Sequence, residues 1–181
     1  MRGDSQCVIR WLTGRYRCHN TLYANTVHDM QNRLYELCVR YNLQSPESGR
    51  DIWKWIYREG NEAADLETHL AREQKVTSDV RWDHDILNLL FDCYRVLAVR
   101  GSFDGGKCEE GVSCGWVIDL CMSRDPPLSS SSSPACNESW WQLGVGRRAF
   151  MLPPHCTITQ AELAAADSLL AGFSELATWA F

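Results

Sequence analysis

Apolar residues recur at intervals of three and four in several segments, the spacing that places them on one face of a helix. The longest stripe consists of Val27, Met30, Leu34, Leu37, Cys38 and Tyr41. The last stripe consists of Leu163, Ala166, Leu169, Leu170 and Phe173, and a shorter one of Ile86, Leu89, Leu90 and Cys93. Each stripe predicts a helix whose apolar face packs on a sheet.

Polar residues able to cap a helix precede three predicted helices. A side-chain oxygen at such a position accepts from unpaired amides of the first turn. The candidates are Asp4 and Ser5 for a helix over 7–12, Asn61 for a helix that contains Asp65, and Thr159 for the last helix.

Four segments rich in branched and aromatic residues predict strands, at 52–57, 94–103, 114–121 and 140–151. Glycines within 105–111 predict the turn between the second and third of these strands. Two further segments are polar: 74–85 is interpreted as a linker, and 123–139, rich in serine and proline, as a flexible insertion.

The composition is that of one globular domain: 181 residues, 45% of them hydrophobic. The chain contains no apolar run of membrane-spanning length and no apolar stretch near Met1, so we expect an intracellular protein without a membrane partner. Its nine cysteines are an odd number without a Cys-x-x-Cys pair, which indicates neither a disulfide framework nor a zinc site.

The formal net charge of −5 is unfavourable for binding a polyanion. Five arginines nevertheless gather between positions 10 and 40: Arg10, Arg15, Arg17, Arg33 and Arg40. They indicate either a basic face for nucleic acid or ordinary solvated helices, and the sequence leaves both alternatives open.

Four acidic residues stand in distinctive local sequences. Asp4 lies in Arg-Gly-Asp-Ser-Gln, Asp65 follows Gly-Asn-Glu-Ala-Ala, Asp104 lies in Ser-Phe-Asp-Gly-Gly, and Glu162 lies in Thr-Gln-Ala-Glu-Leu. Ribonuclease H domains of the type 1-like family place such sequences around catalytic carboxylates, in the order Asp-Gly strand, Glu helix, Asp-Ser strand and Asn-Glu helix. Here the last two come first, so the chain resembles a circularly permuted ribonuclease H.

The resemblance implies an α/β fold with a mixed five-stranded sheet flanked by helices. Residues 1–73 correspond to the C-terminal half of the family and residues 94–181 to its N-terminal half, joined by a linker and connecting helix over 74–93. The chain ends, 175–181 and 1–6, resemble two parts of one strand. We therefore expect them to meet in one sheet, within a monomer or in a strand-swapped homodimer; a slice through tandem units is the third alternative.

The implied activity is hydrolysis of the RNA strand of RNA/DNA hybrids with two Mg²⁺ ions, for which Mn²⁺ is expected to substitute. Magnesium prefers oxygen ligands, and a pair of ions serves phosphodiester hydrolysis. By resemblance, Asp104 bridges both ions, Glu162 and Asp4 hold the ion near the leaving oxygen, and Asp65 holds the ion that activates water.

Recognition of the RNA 2′-hydroxyl falls, by the same resemblance, to residues beside the four motifs. These are Gly105, Gly106, Ser5, Gln6, Thr159, Gln160 and Asn61. The chain departs from the family where Ile158 and Thr159 replace two common asparagines. It also lacks the usual histidine before the Asn-Glu motif, where 58–60 reads Arg-Glu-Gly.

Two other functions remain open from the sequence. One is a weak or inactive ribonuclease H-like domain that binds nucleic acid or acts as a scaffold, for example a retroelement remnant. The other is a related metal-dependent DNA nuclease. The departures from the family favour the first of these, whereas the four intact carboxylates favour the ribonuclease.

Overall fold

The computed structural model of the protein describes residues 1–41, 52–75, 80–93, 96–122 and 141–180. Its strands are β1 (Arg2–Gly3), β2 (Lys54–Trp55), β3 (Arg81–Trp82), β4 (Val96–Cys108), β5 (Gly111–Met122) and β6 (Trp141–Leu152). Its helices are α1 (Gln6–Leu12), α2 (Thr21–Arg40), α3 (Glu62–Gln74), α4 (His84–Cys93) and α5 (Ile158–Ala180), and a short 3₁₀ turn covers Arg58–Gly60.

The strands form one mixed sheet in the order β2-β1-β4-β5-β6-β3. The long strands β4, β5 and β6 are antiparallel to one another, and β3 pairs antiparallel with β6. The short strand β1 lies parallel to both β4 and β2. The predicted α/β class with a mixed sheet is confirmed, but the described sheet has six strands where five were expected.

The additional strand is β3, which falls in the segment predicted to be a polar linker. Its Trp82 ring packs against Trp116 and Trp179, with ring centroids 6.1 and 5.0 Å apart. Its Arg81 forms an ion pair with Glu67, which is buried. Burial of one aromatic ring and one paired charge therefore holds an edge strand that a mostly polar sequence does not predict.

Helices cover both faces of the sheet. Neighbouring residues of a strand point to opposite faces, and Gly105 and Gly106 each face a different helix. A Cβ atom on Gly105 would overlap the backbone of α5, whereas one on Gly106 would meet Thr68 of α3. The buried core is formed mainly by side chains of β5 and α5, with contributions from α1 and α2. Its largest fully buried members include Phe103, Trp116, Ile118, Leu169 and Leu170.

The strand bounds correct two predictions. The turn expected over 105–111 is shorter, because β4 continues through Gly105 and Gly106 to Cys108 and only residues 109 and 110 separate it from β5. The strand expected over 52–57 is limited to Lys54–Trp55, which pairs with the equally short β1. Gly105 and Gly106 therefore belong to the central strand β4.

The helix starts correct all three cap predictions. Ser5 holds the cap position of α1 without a side-chain hydrogen bond. Asn61 holds that of α3, but its amide donates to the Phe103 carbonyl at 2.9 Å. At α5 the cap is Thr157, not Thr159. The Thr157 hydroxyl accepts from the backbone N–H of Gln160, and the Gln160 side chain accepts from the backbone N–H of Thr157.

The chain ends do not join in one strand as expected. β1 lies inside the sheet, but α5 remains helical through Ala180 and its Trp179 packs beside Trp82. The predicted insertion at 123–139 lies outside the described residues. Among the helices that the structure describes, none combines the length and apolarity needed to cross a membrane.

Candidate metal centre

Three carboxylates from three separate elements converge beside the central strand β4. They belong to Asp4, just after β1, Asp104 in β4 and Glu162 in the first turns of α5, and each contributes an oxygen within 4.8 Å of the others. The parallel pairing of Gly3 with Phe103 brings Asp4 beside Asp104. Backbone pairing thus unites residues 100 positions apart.

Glu162 reaches this group because α5 crosses β4 directly over Gly105. The ideal Cβ of any larger residue at position 105 would overlap the Glu162 backbone nitrogen. The backbone N–H of Gly105 also donates to the Glu162 carboxylate. The glycine therefore sets both the approach of the helix and the position of its acidic side chain.

Replacing Gly105 with alanine is expected to push α5 away from β4, because the added methyl has no room. Overpacking of this kind costs about 1–3 kcal/mol of unfolding free energy, and the displaced Glu162 should weaken Mn²⁺ binding. Urea denaturation and calorimetry measure the two effects. Gly144→Ala is the matched control, since its new methyl would meet only Asp119, at 3.6 Å; equal behaviour of the two variants would contradict the prediction.

Burial and mutual repulsion raise the pKa of two members of the group. Asp104 is 4% exposed, and burial, followed by the charges of Asp4 and Asp65, raises its pKa to about 6. Glu162 is 7% exposed, and burial, followed by the charges of Asp104 and Asp4, raises its pKa to about 9. Both carboxyls are thus destabilised in their ionised form, as expected for buried acids that lack a cation.

One oxygen of this group has no hydrogen-bond partner. It is Oε2 of Glu162, which is buried and lies in the side chain that faces Asp4 and Asp104. A buried polar atom without a partner is unfavourable unless something else satisfies it. Three close carboxylates with one unsatisfied oxygen have the chemistry that a hard divalent cation such as Mg²⁺ requires, so the residues fit the ion.

Asp65 lies apart from the three. It is not a member of the group within 4.8 Å, although its charge contributes to the raised pKa of Asp104. Its two oxygens contact basic side chains instead: Oδ1 lies 3.5 Å from Nη2 of Arg58, and Oδ2 lies 3.5 Å from Nε2 of His69. The expected four-carboxylate set is thus three carboxylates and a nearby, separately paired fourth.

The partners of His69 settle its protonation. Its Nδ1 lies 2.8 Å from Nη2 of Arg72, and a guanidinium has only donors. Nδ1 must therefore accept, which leaves the proton on Nε2, next to Asp65. His69 thus links Arg72 to Asp65, and Arg72 itself donates to Ser113 at 2.8 Å.

The residues expected to bind substrate have different surroundings. Ser5 and Gln6 lie at the start of α1 beside Asp4, with Gln6 exposed. Thr159 and Gln160 are half-buried in the first turn of α5, where Gln160 is engaged with Thr157. Asn61 is 1% exposed and hydrogen-bonded to β4.

Four side chains near the site had no predicted role. Arg58 and His69 contact Asp65, Arg72 contacts His69, and the hydroxyl of Thr68 donates to the Ala64 carbonyl. The spacing of Asp65, His69 and Arg72 at intervals of four and three was a usable signal, because such residues share a helix face. Arg58 gives no such signal, because it belongs to the preceding turn.

Comparison with models of known protein families, with curated proteins and with solved structures finds no match to this chain. A functional inference therefore depends on the chemistry of the residues that the fold brings together. The carboxylate group beside β4 provides the most specific chemistry of this kind among the described residues.

Proposed function

We propose that this protein is a metal-dependent endonuclease of the ribonuclease H type, which hydrolyses the RNA strand of RNA/DNA hybrids. The observation that carries the proposal is the convergence of Asp4, Asp104 and Glu162 within 4.8 Å. These are three of the four acidic residues that stand in ribonuclease H-like sequences. Two of these side chains, Asp104 and Glu162, are buried, where the repulsion between their charges is unfavourable unless a cation binds them.

The architecture supports the same proposal. The sheet is mixed, the acidic residue of the Asp-Gly motif lies in its central strand, and the Asp-Ser strand pairs parallel with it. The Glu helix and the Asn-Glu helix lie on opposite faces of that strand. Each motif thus lies on the type of element that the resemblance requires, despite the exchanged order of the two halves.

Asp4, Asp104 and Glu162 would hold the first divalent ion, and Asp65, with Asp104, the second. Bound Mg²⁺ would activate a water molecule and stabilise the charge that develops on the phosphate during hydrolysis. The chain's own residues position the ligands: the Gly105 N–H orients Glu162, and β1–β4 pairing fixes Asp4 against Asp104. Exposed Gln6 and the α5 start are the nearest candidates to contact the substrate.

The proposal is tested with a labelled RNA/DNA hybrid, Mg²⁺, and the wild-type and Asp104→Asn proteins. We expect wild-type protein to cleave the RNA strand and Asp104→Asn to lose that activity, because its amide cannot serve as an anionic ligand. Asp29→Asn is the control, since Asp29 is exposed on α2. Equal cleavage by wild type and Asp104→Asn would contradict the proposal.

Two further outcomes separate the ribonuclease from its alternatives. Cleavage of double-stranded DNA in preference to the hybrid would replace the proposed activity with that of a DNA nuclease. Binding of the hybrid without cleavage, in Mg²⁺ and in Mn²⁺, would leave a nucleic-acid-binding domain. Both outcomes overturn the proposal as stated.

A further inference from the structure

Asp65 already has a cation beside it. The Arg58 guanidinium lies 3.5 Å from its Oδ1, and no pH at which the protein is folded removes the charge of an arginine. The same guanidinium also interacts with Asp104 and Asp4, whose charges, after that of Asp65, raise the Arg58 pKa. Arg58 therefore faces the whole acidic site.

The second oxygen of Asp65 is also engaged. Nε2 of His69 lies 3.5 Å from Oδ2, and Arg72 holds the ring in that orientation. A metal ion that binds Asp65 must therefore compete with two basic side chains. In the group formed by Asp4, Asp104 and Glu162, by contrast, Oε2 of Glu162 has no hydrogen-bond partner among the described residues.

The two halves of the site thus differ in how readily they can bind a divalent ion. The three-carboxylate half has excess negative charge and an unsatisfied oxygen. The Asp65 half is neutralised by Arg58. Because 76% of the Arg58 side chain is exposed, the guanidinium can leave the carboxylate without disturbing the core.

We propose that Arg58 is a built-in counter-cation of Asp65, so that divalent ions bind in sequence: one at Asp4, Asp104 and Glu162, and a second at Asp65 only after Arg58 is displaced. This inference rests on the proposed function. The phosphates of a bound nucleic acid attract a guanidinium, so substrate would draw Arg58 away and favour the second ion. Arg58 is in these terms a positioning residue that delays assembly of the complete site.

Calorimetric titration of the full chain with Mn²⁺ alone tests the proposal. Wild-type protein should bind one ion tightly and a second weakly. Arg58→Met should bind the first ion with similar affinity and the second about tenfold more tightly, because it removes a unit charge near a divalent ion in a solvated site. Arg58→Lys keeps the charge and should resemble wild type.

Arg40→Met is the matched control. Arg40 is exposed at the C-terminal end of α2, whereas Tyr23, near the N-terminal end of α2, is the residue that contacts the start of the Glu162 helix. Unchanged affinity for the second ion in Arg58→Met, or two equally tight ions in wild type, would overturn the role of Arg58 while leaving the metal centre intact. Mn²⁺ binding that survives in Asp104→Asn unchanged would instead overturn the proposed function. Thermal melting confirms that each variant is folded.

Discussion

Glu162→Gln is expected to stabilise the metal-free protein while it lowers Mn²⁺ affinity and hybrid cleavage by more than about 100-fold, since even the partners of metal ligands cost 10–100-fold when lost. In the folded state at pH 7, Glu162 is protonated, because burial raises its pKa to about 9. In the unfolded state, with an ordinary pKa of 4.5, it is ionised. Protonating it on folding opposes stability by roughly 3 kcal/mol.

Glutamine avoids that proton uptake. Its amide would still accept from the Gly105 N–H, and its NH₂ group would lie beside the carboxylate oxygens of Asp4 and Asp104. We therefore expect a net gain on the order of 2 kcal/mol in the unfolding free energy at pH 7 in the presence of a chelator. Urea denaturation measures the gain, and calorimetry with Mn²⁺ measures the loss of binding.

Glu36→Gln is the control, because Glu36 is exposed on α2. It should change neither the unfolding free energy nor Mn²⁺ affinity. A Glu162→Gln protein that is less stable than wild type without metal would show that Glu162 stabilises the fold in its own right. In that case, the buried carboxylate would be a structural residue and not a ligand held in an unfavourable state.

The helices and long strands could be predicted from the sequence because their patterns of apolar residues repeat over many positions. The stripe from Val27 to Cys38 lies within the observed α2, with Tyr41 at its C-cap, and the run from 114 to 121 lies within β5. Short elements depend on partners instead. The two residues of β3 are held by packing of Trp82 on distant rings and by Arg81 on Glu67, and nothing local in the sequence signals either contact.

The candidate site shows the same division. Local motifs suggested Asp4, Asp65, Asp104 and Glu162 as a group. The β1–β4 pairing and the close approach at Gly105 bring three of them together, without Asp65. Local motifs could not predict that Asp65 would lie apart. Its position depends on contacts with Arg58, in the preceding turn, and with His69, which Arg72 holds in place. These contacts depend on side-chain rotamers and packing.

The two buried carboxyls should destabilise the metal-free protein increasingly as pH rises from about 4 to 9. Asp104 and Glu162 have folded-state pKa values of about 6 and about 9, above their ordinary values of 3.8 and 4.5, so at these positions the folded protein binds more protons than the unfolded chain. Burial lowers the pKa of the Met1 amino group from 8.0 to about 5, which opposes the trend between those two values. The contribution of the two carboxyls to the free energy of unfolding therefore decreases with pH, by about 1.4 kcal/mol per pH unit for each extra proton held.

Magnesium should reverse this trend, because it binds the ionised carboxylates and so competes with protons. The stabilisation produced by a fixed Mg²⁺ concentration is then smallest near pH 5.5 and grows towards pH 8.5. Urea denaturation at these two pH values and at pH 7, with Mg²⁺ or with a chelator, measures the effect. Calorimetry in buffers of different ionisation enthalpy should show proton release on binding at pH 7, chiefly from Glu162.

Glu162→Gln provides the internal control for this pH dependence. With no proton to lose at that position, its metal-free stability relative to wild type should increase between pH 7 and 9, because the Met1 amino group contributes equally to both proteins and cancels in the difference. An equal Mg²⁺ effect at pH 5.5 and pH 8.5 would mean that the ion does not displace these protons and binds elsewhere. A growing effect that disappears in Glu162→Gln would connect the ion, the proton and the buried carboxylate at one place in the fold.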